Sequence, residues 1–411
     1  MGVLQRLLRG SAGVDAPRVD VPGVDALRTF AVLAVLYCHI SYYLVDALQA
    51  SWVPIGLVDA VLVEGARLNR HLTFIGVATF MMITGLLITR SAITNSRRRF
   101  LINRIGRLLP SLWVAVFVAI VLVRIGVNHM FTGQDGISNF EAISSFFLGG
   151  FWVKPEVAVL QVTWTLVVQV LFYFFCVAAR PLLRSTPVAV PILGALLCEG
   201  MLLYNQLVPA DATVPMLSKI AATMPAILLG QVFYLYWARL APWPWLVIAG
   251  LAQLEVLTMA QDMHAYGLDK HYVRTMILVA VCVAVLAKRN GPVARSAVVR
   301  WIGTRSYAIY LVHTLILYRT YELTVGKLGT TGAIVAFLIV TAVVSEILYR
   351  WVELPGGRWI SRTFLTKERM IDGVTSKHVV VRGTAGAGQP EIDDGHARTG
   401  PVGPNRPDSA T

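Results

Sequence analysis

The chain has 411 residues, of which 56% are hydrophobic and only 14% are charged. Average soluble domains carry about 25% charged residues, so this composition excludes an ordinary soluble domain. With a mean hydropathy of +0.64, it predicts a polytopic membrane protein. The net charge of +13 comes mainly from Lys and Arg dispersed over one set of short loops between apolar stretches. Membrane topology explains that excess, and we expect no nucleic-acid partner.

Ten apolar stretches are long enough to cross a bilayer, although several fall short of the ~20 residues that a perpendicular helix needs. In chain order they cover residues 27–47, 73–91, 108–126, 159–179, 188–207, 217–237, 243–261, 273–288, 305–322 and 332–353. The predicted fold class is therefore all-α, a polytopic membrane bundle of about ten transmembrane helices.

Lys and Arg are enriched in the cytoplasmic loops of membrane proteins, so they orient the predicted spans. They concentrate before the first span, in every second connection and after the last span: Arg6, Arg9, Arg18, Arg97, Arg98, Arg99, Arg104, Arg107, Arg180, Arg184, Arg239, Lys288, Arg289, Arg295, Arg300, Arg305, Arg358 and Arg362. Both termini are accordingly predicted to be cytoplasmic. We expect a cytoplasmic leader over 1–24, a transmembrane domain over 25–358 and a mostly disordered cytoplasmic tail over 359–411.

Cysteine usage gives no sign of redox or metal chemistry. All four cysteines fall inside predicted spans: Cys38, Cys176, Cys198 and Cys282. Isolated cysteines there are typical packing residues, and no Cys-x2-Cys or His-Cys grouping is present. We predict no metal site and no bound cofactor.

Arg28 and His39 stand eleven positions apart in the first span, with no charged residue between them. At roughly 100° per residue, eleven steps come within about 20° of three full turns, so both side chains project from one helix face. The helical rise separates them by about 16 Å, roughly half of the hydrocarbon thickness. An ionisable His39 near the midplane indicates a functional site, because burying such a group in lipid is costly.

Arg104 and Arg107 form a second basic feature, three positions apart and ahead of Pro110. They share a face if this loop is helical. Paired guanidinium groups suit phosphate, which they hold by charge-assisted and often bidentate hydrogen bonds. Ordinary positive-inside anchoring is the alternative for the pair.

Several blocks of residues occur together in one order along the chain. They are 24–28 with His39, 76–88, 104–110, 164–173, 307–313 and 349–355. Together, from about residue 23 to 358, they resemble the motifs of the membrane-bound acyltransferase 3 family. Two positions depart from the second block's usual pattern: Ala78 replaces an acidic residue and Thr84 replaces Ser.

The resemblance implies an integral-membrane O-acyltransferase of bacterial glycans, glycolipids or antibiotics. The implied donor is acyl-CoA, with the Arg-x-x-Arg element at Arg104 and Arg107 associated with it. Gln169 stands where the family generally carries Glu, so this chain lacks an ionisable carboxyl at that position. If that carboxyl carries protons elsewhere in the family, another group must do so here.

Residues and resemblance together predict a path for acyl transfer across the bundle. Arg28, Arg104 and Arg107 would hold the phosphates of a cytoplasmic acyl-CoA, and the acyl group, such as acetyl or succinyl, would reach His39. A neutral imidazole can take the proton of an acceptor hydroxyl arriving from outside. Acylation of His39 itself is the alternative, and the sequence does not separate the two routes.

Further residues are predicted to line the site or orient the acceptor: Trp164, Gln169, Tyr307, Tyr310 and His313. The two tyrosines and His313 also fit an ordinary packing stripe. Asp25 is expected to orient Arg28 or start the helix, and Arg350 to pair with Glu353 near the end of the last span.

The predicted function is acyl transfer to an extracytoplasmic cell-envelope glycan or glycolipid in the bacterial plasma membrane. A secreted antibiotic-like acceptor is an alternative, as is a transporter or flippase of a glycolipid or acylated sugar. Transporters often show paired broken helices and internal symmetry, and the sequence shows neither. The identity of the acyl group and the oligomeric state stay open.

Overall fold

The computed structural model describes residues 16–130, 134, 136–265 and 270–365. The described chain is helical and contains no β-strand, which confirms the all-α prediction. Most of the predicted leader and tail, residues 1–15 and 366–411, lies outside the described residues.

The α-helices are numbered here in chain order. They are α1 (Val24–Tyr42), α2 (Val53–Val58), α3 (Thr73–Thr94), α4 (Arg97–Arg124), α5 (Asn139–Phe146), α6 (Trp164–Ala178), α7 (Arg180–Ser185), α8 (Ala189–Leu207), α9 (Pro215–Trp237), α10 (Trp243–Asp262), α11 (Tyr272–Leu286), α12 (Pro292–Arg295) and α13 (Ala297–Leu348).

Eight helices in the described part are long and apolar enough to cross a membrane, which makes this a multi-pass membrane protein. Two features bring that number to the predicted ten. Helix α11 is apolar but shorter, with 15 residues. Helix α13 is broken at Gly329, where φ is 65°.

The chain reverses direction at Gly329. In a straight helix, 41 positions would hold Arg305 and Glu346 about 60 Å apart. Instead Arg305 forms an ion pair with Glu346, and its guanidinium lies 4.8 Å from the centre of the Tyr349 ring. The last two predicted spans are therefore two adjacent antiparallel helices, as a short connection requires.

The helix ends fall into two groups that alternate along the chain. The N–H of Gly23, before α1, donates to Ala287 after α11, and Tyr234 near the end of α9 donates its hydroxyl hydrogen to Pro17. We call this end of the bundle, which also carries Arg97, the basic end. The other end, where α3 and α6 start, is the opposite end. Its assignment to the outside of the cell stays a prediction.

Helices α3 and α9 cross in close contact at the centre of the bundle. A Cβ atom at Gly85 would lie 1.8 Å from the carbonyl oxygen of Ile227, and one at Gly230 would lie 2.0 Å from that of Met82. Because the two backbones touch, α3 has a fixed position. Its other face is free to line the cavities described next.

Candidate active site

An inner cavity with about 910 Å³ of empty volume opens between α1, α3, α4, α6 and α13. Its polar lining combines three arginines with hydroxyl and amide groups: Arg28, Arg104, Arg107, Thr84, Thr165, Gln169, Tyr173, Ser306, Tyr307 and Tyr310. The predicted donor residues thus converge on one space from α1 and α4. Residues 97–124 form one helix, which confirms the helical interpretation of the Arg104–Arg107 pair.

Pro110 lies inside α4 and cannot donate a backbone hydrogen bond. Close to it, the Tyr307 hydroxyl donates to the carbonyl oxygen of Leu108 at 2.9 Å. Helix α13 thereby holds the basic first half of α4 in place. Tyr307 lines the inner cavity and at the same time positions the arginine pair.

The three guanidinium groups are close enough to repel one another, and two carboxylates offset part of their charge. Oδ1 of Asp25 lies 3.6 Å from Nη1 of Arg28, which fits the first of the two roles expected for this residue. Arg104 has a buried Nε atom without a hydrogen-bond partner. A buried cationic donor of this kind is costly unless a ligand satisfies it.

Glu353 supplies the second carboxylate, although the sequence predicts that it pairs with Arg350. The predicted Arg350–Glu353 pair is not formed, because Arg350 pairs with Glu346 one turn earlier. Glu353 is only 6% exposed and interacts electrostatically with Arg107 and Arg28. In a regular helix, Arg350 and Glu353 would be neighbours at i and i+3. A π-helical turn over Tyr349–Glu353 instead directs the Glu353 carboxylate toward Arg107 and Arg28.

An outer cavity with about 630 Å³ of empty volume lies toward the opposite end. It contains His39 and is lined by Val35, Cys38, His39, Thr73, Phe74, Val77, Gln161, Val162, Trp164, Tyr272 and Tyr310. Arg28 and His39, on one face of α1, therefore open into successive cavities along the bundle. Their spacing predicts a common helix face, and in the structure each side chain lines one of the two cavities.

His313 of α13 lines neither cavity; it is buried and contacts His39. Its Nε2 atom lies 3.3 Å from Nδ1 of His39, and the two rings meet edge to face with centroids 4.8 Å apart. Its Nδ1 atom lies 2.8 Å from the carbonyl oxygen of Tyr310 and 3.2 Å from that of Ile309. His313, which was predicted to line the site or orient the acceptor, thus contacts the His39 ring instead of either cavity.

For neutral rings, these contacts favour one tautomer of each histidine. Because carbonyl oxygens only accept, Nδ1 of His313 carries the hydrogen, and its Nε2 has the lone pair. Nδ1 of His39 faces that lone pair and also the carbonyl oxygen of Val35 at 3.0 Å, so it must donate. Nε2 of His39 is left with a lone pair, which is the form that a general base needs.

The other predicted residues divide between the two cavities. Trp164 lines the outer one, whereas Gln169 and Tyr307 line the inner one. Tyr310 lines both. Val77 does the same, and no sequence signal distinguished it from the other apolar residues of its span.

A hydrogen-bonded network near the opposite end was also missed. The Ser41 hydroxyl lies 2.7 Å from Nδ1 of His71, whose Nε2 lies 3.0 Å from the Asp46 carboxylate. His71 has a φ of 53°, a left-handed conformation that is uncommon for residues other than glycine. Ser41 is fully buried and lies in the lining of neither cavity, so the network braces the turn before α3.

The described residues thus form a membrane helix bundle with an arginine-lined cavity toward one end and a histidine-lined cavity toward the other. Comparison with known sequences identifies the class. The sequence model of the acyltransferase domain Acyl_transf_3 matches residues 21–350, so the chain belongs to this acyltransferase family. The family that the motifs indicate is thereby confirmed.

Curated relatives have similar sequences over most of this chain. YrhL of Bacillus subtilis is 25% identical over an alignment of 375 positions that covers 82% of this chain and 54% of that relative. The peptidoglycan O-acetyltransferase OatA of Listeria monocytogenes is 23% identical over an alignment of 400 positions that covers 82% of this chain and 56% of the relative. The O-acetyltransferase OatA of Staphylococcus aureus is 23% identical over an alignment of 373 positions that covers 82% of this chain and 57% of the relative.

This chain thus spans a little over half the length of these three relatives. No solved structure is significantly similar to it.

Proposed function

We propose that this protein is an O-acyltransferase that moves a small acyl group from cytoplasmic acyl-CoA to a hydroxyl of an extracytoplasmic cell-envelope glycan. The observation that carries the proposal is the pair of cavities, one lined by arginines and the other by His39, which follow each other along α1. Peptidoglycan O-acetyltransferases among the relatives make a cell-wall glycan the preferred acceptor.

The inner cavity supports a polyphosphorylated donor. Three arginines, Arg28, Arg104 and Arg107, face only two nearby carboxyl groups, and the buried Nε atom of Arg104 has no hydrogen-bond partner. Guanidinium groups bind phosphate oxygens through charge-assisted hydrogen bonds. The long pantetheine arm of acyl-CoA would place its thioester further along α1, toward His39.

The His39 side of the site supports base catalysis. Nε2 of His39 takes the proton of the acceptor hydroxyl, whose oxygen forms a bond to the thioester carbonyl carbon. The carbon–sulfur bond then breaks, and the thiolate of CoA receives the proton from His39. Throughout, Nδ1 of His39 keeps its hydrogen and donates to His313, which stabilises the transient imidazolium.

Gln169 does not weaken this mechanism, because it lies in the inner cavity rather than beside His39. An amide there can donate to and accept from the donor arm without exchanging a proton. Proton transfer in the proposal depends on His39 alone.

The outer cavity supports a sugar acceptor. Trp164 and Tyr272 give it aromatic surface, and Thr73 and Gln161 give it hydrogen-bonding groups. This mixture of a few polar groups on an apolar, aromatic lining is typical of small-molecule and sugar sites. The side on which the acceptor arrives corresponds to the outside of a bacterial plasma membrane.

The direct test is acyl transfer by the purified full chain in lipid nanodiscs. Acetyl-CoA and soluble muroglycan strands of alternating N-acetylglucosamine and N-acetylmuramic acid serve as substrates. We expect release of CoA, detected with a thiol reagent, and a matching gain of acetyl groups on the glycan, detected by mass spectrometry. If the protein releases no CoA and no acetylated glycan forms, the proposal is contradicted.

The donor site has its own test in the double variant Arg104→Ala plus Arg107→Ala. Losing two charge-assisted contacts to phosphate should raise the KM for acetyl-CoA by about tenfold or more. The matched control is Arg97→Ala plus Arg99→Ala, which removes two exposed arginines from the start of the same helix. An equal KM in both double variants would remove Arg104 and Arg107 from donor binding.

A further inference from the structure

A thin wall of side chains separates the inner cavity from the outer cavity. Val77 and Tyr310 line both, Phe80 lines only the inner and Val162 only the outer. Tyr310, Val162 and Val35 form a small apolar cluster against which Phe80 packs. The wall therefore lies between the guanidinium groups and the imidazole.

The Tyr310 side of this wall is held by hydrogen bonds. Its hydroxyl lies 2.7 Å from the carbonyl oxygen of Val162 and 2.7 Å from the hydroxyl of Thr165. The Phe80 ring meets the Tyr310 ring edge to face, with centroids 5.9 Å apart. Because both bonds of Tyr310 end on residues in or just before the first turn of α6, the tyrosine ring has little freedom to move aside.

Val77 and Phe80 form the other side of the wall, three positions apart on α3. They are half-buried, in contrast to Ile75, Ala78 and Thr79, which are buried in the bundle. The close crossing of α3 and α9 fixes the backbone that carries both. The width of any opening through the wall would therefore depend mainly on the size of these two side chains.

We propose that Val77 and Phe80 select the transferred acyl group by its cross-section. This inference rests on the proposed function, because it needs a donor whose phosphates stay in the inner cavity. The acyl group is the leading end of such a donor, so it must pass the wall before the thioester reaches His39. Acetyl is narrow enough to pass beside a fixed aromatic ring, whereas a group branched next to the carbonyl collides with the Phe80 ring.

The experiment compares two donors, acetyl-CoA and isobutyryl-CoA, with the full chain in nanodiscs and muroglycan strands as acceptor. The wild-type protein should favour acetyl-CoA in kcat/KM by about tenfold or more, since one or two carbons in a tight apolar site discriminate to that extent. In Phe80→Ala and in the milder Val77→Ala, the isobutyryl-to-acetyl ratio should rise by about tenfold.

Leu87→Ala is the matched control. Leu87 lies two helical turns from Phe80 on the same face of α3 and lines the inner cavity away from the wall. Leu87→Ala should change kcat/KM for the two donors in proportion. The isobutyryl-to-acetyl ratio should stay within about twofold of wild type, because Leu87 does not border the wall. A packing defect in α3 would by contrast lower kcat/KM for both donors equally in all three variants.

The outcomes separate this inference from the proposed function. Acetyl transfer by the wild type with an unchanged donor ratio in Phe80→Ala and Val77→Ala overturns the selection by size and leaves the proposed function standing. A wild type that accepts both donors equally does the same. A wild type that transfers neither group contradicts the proposed function and this inference with it.

Discussion

His39 has the polar contacts of its ring on Nδ1, which faces His313 and the carbonyl oxygen of Val35. A histidine held in this way resembles the imidazole of a Ser-His-Asp triad, whose partner sets the tautomer without itself accepting the proton. Here a second, neutral imidazole is the partner, which avoids burying a carboxylate at this depth. In the proposed mechanism, His313 is therefore a positioning residue for His39.

Substitution of His313 tests this role. In His313→Leu the hydrogen-bond acceptor is lost, and kcat should fall by about 10² to 10⁴ with little change in the KM for acetyl-CoA. In His313→Gln the amide oxygen can replace the lone pair, so a good part of kcat should return. The pH profile of kcat should also differ from wild type in the Leu variant. Equal loss in both variants with an unchanged profile would reduce His313 to a packing residue.

At the scale of elements, the crossing of α3 and α9 supports both cavities. Gly85 and Gly230 let the two backbones meet, and the opposite face of α3 carries Val77 and Phe80. Small residues at such crossings are the usual way for membrane helices to approach closely. A change at this crossing should act on stability first and on the site only through it.

Gly230→Ala should lower the thermal midpoint in detergent, because its Cβ would overlap the carbonyl of Met82 and force the helices apart at a cost of about 1–3 kcal/mol. Gly200→Ala on α8 is the control, since a Cβ there has no neighbour within 4 Å. It should leave the midpoint unchanged or raise it. Similar midpoints for the two variants would show that the close crossing is not required.

At the scale of the whole molecule, the ten apolar helical segments of the described residues alternate between the basic end and the opposite end. The described chain begins at the basic end, where Ala16 accepts a hydrogen bond from Arg90, and Glu353 lies at the same end beside Arg107. The predicted cytoplasmic position of this end follows from its Lys and Arg content. The outer cavity should accordingly be reached from outside the cell.

Cys38 offers a direct measurement of that sidedness, because it lines the outer cavity next to His39. Cys176 and Cys198 are buried, so a Cys282→Ala background leaves Cys38 as the accessible thiol of the described cysteines. A membrane-impermeant maleimide applied to the outside of intact cells should label it, and labelling should slow when muroglycan strands are present. Labelling only in inverted membrane vesicles would reverse the orientation assigned here.

The sequence by itself determined the features that depend on local periodicity and composition. Apolar length and the distribution of Lys and Arg defined a ten-segment bundle, and the helical phase of Arg28 and His39 placed them on one face of α1. The Arg104–Arg107 pair and the order of the motifs indicated the family. These properties are readable because each arises within one helix or from one short stretch of chain.

Tertiary structure alone decided which side chains meet. His39 and His313 are 274 positions apart, and their contact depends on how α1 and α13 pack. Glu353 faces the arginines of other helices instead of Arg350, because a π-helical turn changes its direction. The wall at Val77 and Tyr310 exists only where three helices converge. Contacts of this kind are set by packing between helices, and the pattern of residues along one chain segment does not specify how that segment packs against the others.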